Sequence, residues 1–430
     1  MIEKKYLQNP KGTRDFSGIT AKKRQKLIRF FEDCFENFGF ELLITPNIEY
    51  KELVDSKSSD TYGEELKLVY SFQDMGGRNL VLKYDQTVPL ARFVASNPAL
   101  AMPYKRSVIG RNYRFENVQK GRYREFWQCD LDIVGSNNTK SDSFIISAVI
   151  YIYKKLGFKN AKMIYNNRKI VLEILAKFNI NKEDSTKVIR ALDKMDKKGI
   201  DFVTSLIVPI VGQDNSKKIL EIFNNNLNNS DKLEFIKEYI STETYLETKS
   251  IFEDFVILGI EKDVEFNLFL TRGLDYYTSS VFEIIDSDSG MGSLGGGGRY
   301  DNMIEQFCGR RVPAVGFAFG FERIYDLLEE RNLLDVPNNS NNIFIVSPNK
   351  SSKKTLELNK ILLDNLLYSS YDFASRNLSK QIQYAFKNNF KYILICDLEE
   401  LEDNHYKFKD LDKNVETVMS LEEIIKTLKN

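Results

Sequence analysis

Residues 122–133, Arg-Tyr-Arg-Glu-Phe-Trp-Gln-Cys-Asp-Leu-Asp-Ile, constrain this chain more than any other segment. Side chains of a strand alternate between its two faces. One face carries Arg122, Arg124, Phe126, Gln128, Asp130 and Asp132; the other carries Tyr123, Glu125, Trp127, Cys129, Leu131 and Ile133. The second face reads as core, and the first as a row of charges interrupted by one ring. The ordinary reading of such a row is the solvated side of an antiparallel sheet. Three features point elsewhere. Arginines gather at one end and carboxylates at the other. Phe126 lies between them, where another ring can stack on it. Arg114, closing the first strand of a hairpin over 105–134, can face the same floor. Such a floor clamps a phosphate at one end and a cationic or polar group at the other.

The rest of the chain supplies a frame for that hairpin. Leu27, Phe30, Phe31, Cys34, Phe35 and Phe38 recur at helical spacing, which predicts an amphipathic helix over 21–38 stopped by Gly39. Strands are expected at 41–45, broken by Pro46, and at 66–72 and 79–84, with helices over 88–95 and 141–156. Residues 168–262 change texture: helical patterns at 170–178, 184–195 and 231–239 read as a helical insertion. Strands return at 264–271 and 280–285, a glycine-rich loop follows at 290–298, and 315–330 opens with small residues and becomes a helix. The polar, turn-forming run 337–342 reads as a linker. Beyond it, strands at 343–346 and 392–396 alternate with helices over 355–367 and 378–388, a small α/β domain. The expected organisation is a core in two parts, 1–167 and 263–332, interrupted by an insertion at 168–262. A linker at 333–342 and a tail domain at 343–430 follow.

Rare residues exclude several chemistries. The single histidine, His405, rules out Ser-His-Asp and Cys-His catalysis unless it serves itself, and any multi-histidine metal site. Cys34, Cys129, Cys308 and Cys396 form no CxxC pair, which fits a reducing compartment. The 61 basic and 61 acidic side chains cancel, so binding to nucleic acid must use local patches. The first ten residues carry no signal or transit pattern, and no apolar run approaches the roughly 18 residues that a membrane span needs. The expectation is a cytoplasmic protein with no membrane partner. Gly290–Gly295 matches GxGxxG formally, but Gly296, Gly297, Gly298 and Arg299 delay the next helix. Close backbone approach between strands under a ligand explains the glycines better.

Several motifs together resemble the class II aminoacyl-tRNA synthetases in their histidyl form. Arg114-Phe-Glu116 with residues 121–132 resembles motif 2. Arg272-Gly-Leu-Asp-Tyr-Tyr277 and Gly297-Gly-Arg-Tyr-Asp301 resemble the two histidine signatures, and residues 315–323, ending in Glu322-Arg323, are similar to motif 3. Pro46 with Glu49 suits motif 1, the dimer element. Gly12-Thr-Arg-Asp15 resembles the family's N-terminal segment, and 376–381 its tail domain. The resemblance implies an α+β fold: an antiparallel sheet flanked by helices, a helical insertion and a C-terminal α/β anticodon-binding domain. It implies a homodimer that joins L-histidine to tRNA-His using ATP, with Mg2+ on the ATP phosphates.

The same resemblance assigns roles. Arg272 and Arg114 are catalytic, Arg114 at the α-phosphate and Arg272 at the reacting carboxylate. Glu116 reads the adenine amino group and Phe126 stacks on adenine; Arg122 and Arg323 hold the tail phosphates or the far face of adenine. Asp85, Thr87 and Gln128 take the histidine amino group. Asp132 and Tyr277 bracket the imidazole, and Tyr276 shapes the pocket. Asn117 and Gln119 meet the tRNA acceptor end, although bacterial relatives have Arg-Pro-Gln where this chain has Asn117-Val118-Gln119. Two rivals share parts of the pattern: the regulatory subunit of ATP phosphoribosyltransferase, and a class II synthetase for another amino acid. The intact Arg272 signature and the tail domain count against the first. Asp132 facing Tyr277 suits an imidazole better than an apolar or hydroxyl side chain.

Overall fold

The computed structural model describes residues 2–55, 68–271, 277–336, 342–349, 353–399, 401 and 404–429. Arg272 and Tyr276 lie outside these residues, as does most of the 337–342 run and the first part of the strand expected at 66–72. The chain divides into two compact units, Met1–Asp335 and Val336–Asn430.

The first unit opens with α1 (Gly18–Asn37), β1 (Glu41–Leu42), β2 (Ile48–Tyr50), α2 (Lys51–Asp55), β3 (Ser71–Gln73), β4 (Asn79–Leu82) and α3 (Thr87–Ser96). The hairpin β5 (Tyr104–Tyr113) and β6 (Glu125–Val134) follows, then α4 (Lys140–Lys155) and β7 (Ala161–Asn167). Six helices come next: α5 (Arg168–Lys177), α6 (Lys182–Leu192), α7 (Met195–Val211), α8 (Gln213–Phe223), α9 (Asn229–Ile236) and α10 (Thr242–Ile257). The chain then returns through β8 (Val264–Phe266), β9 (Ser280–Asp286), β10 (Ser293–Arg299), α11 (Glu305–Cys308), β11 (Ala314–Phe319) and α12 (Phe321–Glu330). Eight of these strands form one sheet in the order β1-β5-β6-β11-β10-β9-β7-β8, antiparallel except at its two outer pairs.

One face of this sheet is packed by α1, α4 and α12. Phe319 of β11 meets Phe31 of α1 at 5.1 Å between ring centroids and stacks on Tyr153 of α4 at 5.7 Å. Cys129, Leu131 and Ile133 join the same core, as their alternation predicts. Among the described residues no such layer covers the middle strands on the opposite face, and there the sheet becomes a floor.

Several expectations shift. The glycine run is not a loop: Ser293–Arg299 is β10, in the middle of the sheet, paired with β9 and β11. The reason is close packing on the core face. A Cβ on Gly297 would sit 2.1 Å from the Gly316 carbonyl, and one on Gly295 would sit 2.7 Å from the Phe317 ring. The strands at 41–45 and 264–271 shorten to β1 and β8, and Ile48–Tyr50 pairs with β4 in a separate three-stranded sheet with β3. Regular alternation starts only at Glu125, so Arg122 and Arg124 do not share a face.

The second unit builds a five-stranded sheet, ordered β13-β12-β14-β15-β16, from β12 (Ile343–Val346), β13 (Ser369–Tyr371), β14 (Tyr392–Ile395), β15 (His405–Asp410) and β16 (Val415–Ser420). Helices α13 (Lys353–Asp364), α14 (Leu378–Lys387) and α15 (Leu421–Lys429) complete it. The parallel pair β12 and β14 agrees with the alternation of strand and helix in the sequence, whereas β13, β15, β16 and α15 are not legible there.

Candidate active site

The sheet register sets out the floor. On β5 and β6, Arg106 opposes Asp132, Val108 opposes Asp130, Gly110 opposes Gln128 and Asn112 opposes Phe126. Across β11 and β10 the same rows continue as Gly316–Gly298 and Ala318–Gly296, and Glu283 of β9 opposes Gly296. Long side chains on the outer strands thus flank a strip of glycine and alanine. Above the strip is a cavity of about 430 Å³. Its lining includes Arg114, Glu116, Arg122, Phe126, Gln128 and Arg323, six of the residues expected from sequence, together with Glu283, Ser293, Gly295 and Gly296.

One end of this cavity is cationic. Arg323, at the first turn of α12, reaches back so that its Nη1 donates to the Ser293 carbonyl. Gly121 makes room for it, because a Cβ there would lie 2.8 Å from the Arg323 stem. Burial first, then the neighbouring Arg122, pulls the Arg323 guanidinium below its ordinary value. Two arginines held side by side with partial burial form a site for an anion with more than one negative oxygen. Glu116 lies 3.8 Å from Arg114 and 3.6 Å from Arg122. Arg114 donates from Nε to the Tyr84 carbonyl at 2.8 Å, with its guanidinium 5.2 Å from the Phe126 ring centroid.

Of the other expected residues, Asp85 and Asp132 are buried and Thr87 and Tyr277 half-buried, and none of these four lines the cavity. Asp132, 5 % exposed, accepts from Arg106 Nη1 at 2.6 Å and from the Tyr300 hydroxyl. Arg106 is fully buried, and its Nη2 donates to the Gln86 carbonyl at 2.7 Å. Burial holds the Asp132 carboxyl above its ordinary range, and Arg106 opposes that rise. Tyr277 packs on Gly298, whose strand partner Gly316 lies against Asp132, so the two expected imidazole neighbours do converge. It is Tyr300 that bonds Asp132 here. Arg106 and Tyr300 carried no assigned role in the sequence reading, although Tyr300 stands inside the second histidine signature.

Asp85, two residues ahead of the first residue of α3, Thr87, accepts the Val88 N–H of that helix's first turn at 2.9 Å. Gln128 accepts from Asn112. Asp130 is 5 % exposed, with Oδ1 lacking a hydrogen-bond partner among the described residues. Burial drives its carboxyl well above the ordinary range, with Arg106 opposing. Asn117 and Gln119 are exposed on the loop between β5 and β6; Gln119 pairs through its backbone with Arg122 across the turn at Gly121. Lys120 binds Glu330. Arg124 does not line the cavity but lies over the Phe115 ring at 4.0 Å.

The described residues contain no group of three or more His, Cys, Asp or Glu side chains placed to hold a metal ion. Nor do they contain a helix long and apolar enough to cross a membrane.

A family model described as histidyl-tRNA synthetase matches residues 12–324, and one described as an anticodon binding domain matches 342–430. The chain is 32 % identical to histidine–tRNA ligase of Borreliella afzelii, covering 97 % of this chain and 96 % of that protein. It is 33 % identical to histidine–tRNA ligase 1 of Bacillus cereus (96 % and 95 % covered) and 39 % identical to histidine–tRNA ligase of Aeropyrum pernix (74 % and 73 %). Among solved structures, histidyl-tRNA synthetase from a Nostoc species superposes with a TM-score of 0.80 at 23 % identity, covering 98 % of this chain and 99 % of that one. A Bacillus halodurans protein titled ATP phosphoribosyltransferase regulatory subunit/histidyl-tRNA synthetase superposes at 0.74 with 22 % identity, covering 91 % and 98 %. Both structures speak to the fold alone.

Proposed function

Because the chain belongs to the histidyl-tRNA synthetase family, we propose that the arginine-flanked cavity binds ATP and that the buried carboxylates beside it receive histidine. The activity is that of an ATP-dependent histidine–tRNA ligase. The regulatory-subunit reading gives way, since the relatives at 32–39 % identity are ligases.

The observation that carries the site reading is the convergence of Arg114, Arg122 and Arg323 on one cavity, at positions 114, 122 and 323 of the chain. In the reaction, the histidine carboxylate attacks the α-phosphorus of ATP. The C–O–P bond of histidyl-adenylate forms as the bond to pyrophosphate breaks. A hydroxyl of the terminal ribose of tRNA then attacks the carbonyl carbon of the adenylate; the ester bond forms as the bond to AMP breaks, and AMP and the hydroxyl proton leave. Attacking and leaving groups are already anionic, so the first step needs no general base. It needs placement and positive charge where negative charge accumulates. Arg114 and Arg272 are proposed to meet the α-phosphate and the reacting carboxylate, and Arg122 and Arg323 the tail phosphates. Phe126 stacks on adenine and Glu116 accepts from its amino group. Asp85, Thr87 and Gln128 receive the histidine ammonium. Asp132, Tyr276 and Tyr277 surround the imidazole, with Tyr300 fixing the Asp132 carboxylate.

Mg2+ arrives with the nucleotide. It demands oxygen ligands and usually keeps waters, borrowing only one or two carboxylates. Its place would be on the ATP phosphates, where Glu283 on the cavity wall is the carboxylate that would reach it, and no protein cage is required. The exposed Asn117 and Gln119 are proposed to meet the acceptor end of tRNA-His, and the second unit to meet the anticodon. A homodimer belongs to the same proposal, supported by Leu42, Ile44, Ile48 and Phe72, apolar side chains exposed around β1 to β3. A cytoplasmic location is supported by four cysteines, all unpaired.

ATP–pyrophosphate exchange across the twenty amino acids tests the substrate. Arg272→Ala is expected to lower histidine-dependent exchange by about 100- to 1,000-fold in a folded protein. An unchanged rate would remove Arg272 from the chemistry.

A further inference from the structure

The Gly12-Thr13-Arg14-Asp15 segment has no part in the site above, yet it reaches both sides of the cavity's cationic end. The Gly12 carbonyl accepts from the Arg124 N–H at 2.9 Å, which seats the segment on the strand entering β6. With φ at +84° and the Arg124 stem 2.7 Å from where a Cβ would stand, position 12 is open to glycine alone. Two residues on, the Arg14 guanidinium lies 3.3 Å from the Tyr123 ring centroid, and its Nη2 donates to Glu322 Oε2 at 2.6 Å. Glu322 is 4 % exposed. It also accepts two bonds from Arg24, at 2.8 and 2.9 Å, and one from the Trp127 N–H at 3.2 Å.

Tyr123 directly follows Arg122, and Glu322 directly precedes Arg323. Arg14 therefore bridges the immediate neighbours of the two arginines that meet in the cavity. Those arginines carry like charge; Glu116, 3.6 Å from Arg122, offsets part of their repulsion, and packing contacts around them must hold the rest of the convergence. Arg24 alone already satisfies both Glu322 oxygens, so Arg14 is not needed to neutralise that carboxylate. What Arg14 adds is the link to Tyr123. A surface ion pair would contribute little, but here one partner is buried and the guanidinium is clamped flat on a ring.

We propose that Arg14 is a positioning residue for the nucleotide: it holds residues 121–124 against the start of α12, so that Arg122 and Arg323 converge on one polyphosphate. This deepens, and rests on, the reading that Arg122 and Arg323 bind ATP. Arg14 itself touches no reacting atom. Its loss should therefore appear in the ATP requirement and not in the histidine requirement, because Asp85, Gln128 and Asp132 are held by contacts that do not pass through it.

The test is steady-state ATP–pyrophosphate exchange on the full chain, with ATP and histidine varied separately, for Arg14→Ala, Arg14→Lys and Arg323→Ala. Losing one charge-assisted bond predicts a rise of about tenfold or more in KM for ATP in Arg14→Ala. KM for histidine and the unfolding midpoint should stay essentially unchanged, since Glu322 keeps Arg24 and Trp127. Arg14→Lys keeps the charge opposite Glu322 but not the planar stack on Tyr123, and should recover part of the loss. An unchanged KM for ATP in Arg14→Ala, with Arg323→Ala impaired, overturns the positioning role alone. Parallel increases for both substrates with a lowered unfolding midpoint also overturn it, by making Arg14 merely structural. If Arg323→Ala leaves KM for ATP unchanged, the nucleotide reading falls and this proposal with it.

Discussion

Asp132→Asn removes one negative charge from beside a positive one that has no route to water. Arg106 is fully buried and spends two of its donors on Asp132 and the Gln86 carbonyl, at 2.6 and 2.7 Å. Its Nε has no acceptor among the described residues. The adjacent Lys83 is itself pushed below its ordinary value, by burial and then by Arg106, so a cation left uncompensated here has a second cation for a neighbour. Breaking a buried pair by neutralising one member typically costs about 3–5 kcal/mol. Asp132 is held above its ordinary range by burial, so relief of its own desolvation offsets part of that cost. A net loss near the lower end, about 3 kcal/mol, corresponds to a shift of roughly a hundredfold or more in the folding equilibrium. That is a large share of the roughly 5–15 kcal/mol that holds a typical fold. Asp132→Asn is thus expected to weaken histidine binding and to unfold early. Trp127, the only tryptophan, sits on β6 with Asp132 and reports the transition by fluorescence in urea. A double variant, Arg106→Met with Asp132→Leu, removes both charges and should regain stability without regaining histidine-dependent exchange. An unfolding midpoint for Asp132→Asn equal to that of the unaltered protein would refute the argument that Arg106 depends on it.

Three further outcomes follow from the same geometry. Gly296→Val should fold, since its Cβ would meet Glu283 only at 3.5 Å, but should fill the cavity floor and abolish exchange; Gly297→Ala should instead lose stability, by about 1–3 kcal/mol or more, because its Cβ would meet the Gly316 carbonyl at 2.1 Å. Thermal melts of both variants decide this, and a stable Gly297→Ala would contradict the packing account. For Asp130 the folded carboxyl is raised by burial, so the folded state holds its proton more tightly than the unfolded chain does. Its ionisation then destabilises the fold as pH rises above the ordinary carboxylate range near 4, and the penalty vanishes in acid below it. Asp130→Asn should raise the melting temperature at neutral pH and converge with the unaltered protein in acid, and a constant difference across pH would rule this out. The resemblance implies that the arginine of bacterial relatives at the position of Asn117 helps read the extra 5′ guanosine of tRNA-His, and an asparagine there carries no charge to neutralise a phosphate. Aminoacylation at fixed salt should therefore fall by less than about 100-fold when the extra 5′ guanosine of tRNA-His is removed, and a larger fall would show the requirement intact.

Sequence periodicity alone located the helix that became α1, the β5–β6 hairpin, the helical stretch between β7 and β8 and the first strands and helices of the tail. These rest on neighbours a few residues apart, whose alternation or 3.6-residue spacing is visible in one dimension. The motif residues Arg114, Glu116, Arg122, Phe126, Gln128 and Arg323 were legible for a different reason: their types and order resemble a known family, and the fold brings them to one cavity. The glycine run reads as a loop, and only its close backbone approach between strands is legible, because nothing in Gly295–Gly298 states that Phe282, Gly316 and Phe317 press on it from both sides. The partner of Asp132 was equally hidden. Arg106 lies 26 residues away in an unremarkable part of β5, and only the hairpin register sets the two opposite each other. Glu322 finds Arg14 and Arg24 across 308 and 298 residues. A lone carboxylate in a sequence declares neither its burial nor its counterion, because both depend on which distant strand or helix the topology lays against it. Composition and spacing therefore determined the elements and the kind of chemistry. Tertiary structure decided which charges are satisfied inside the protein and which are left facing the cavity for ligands.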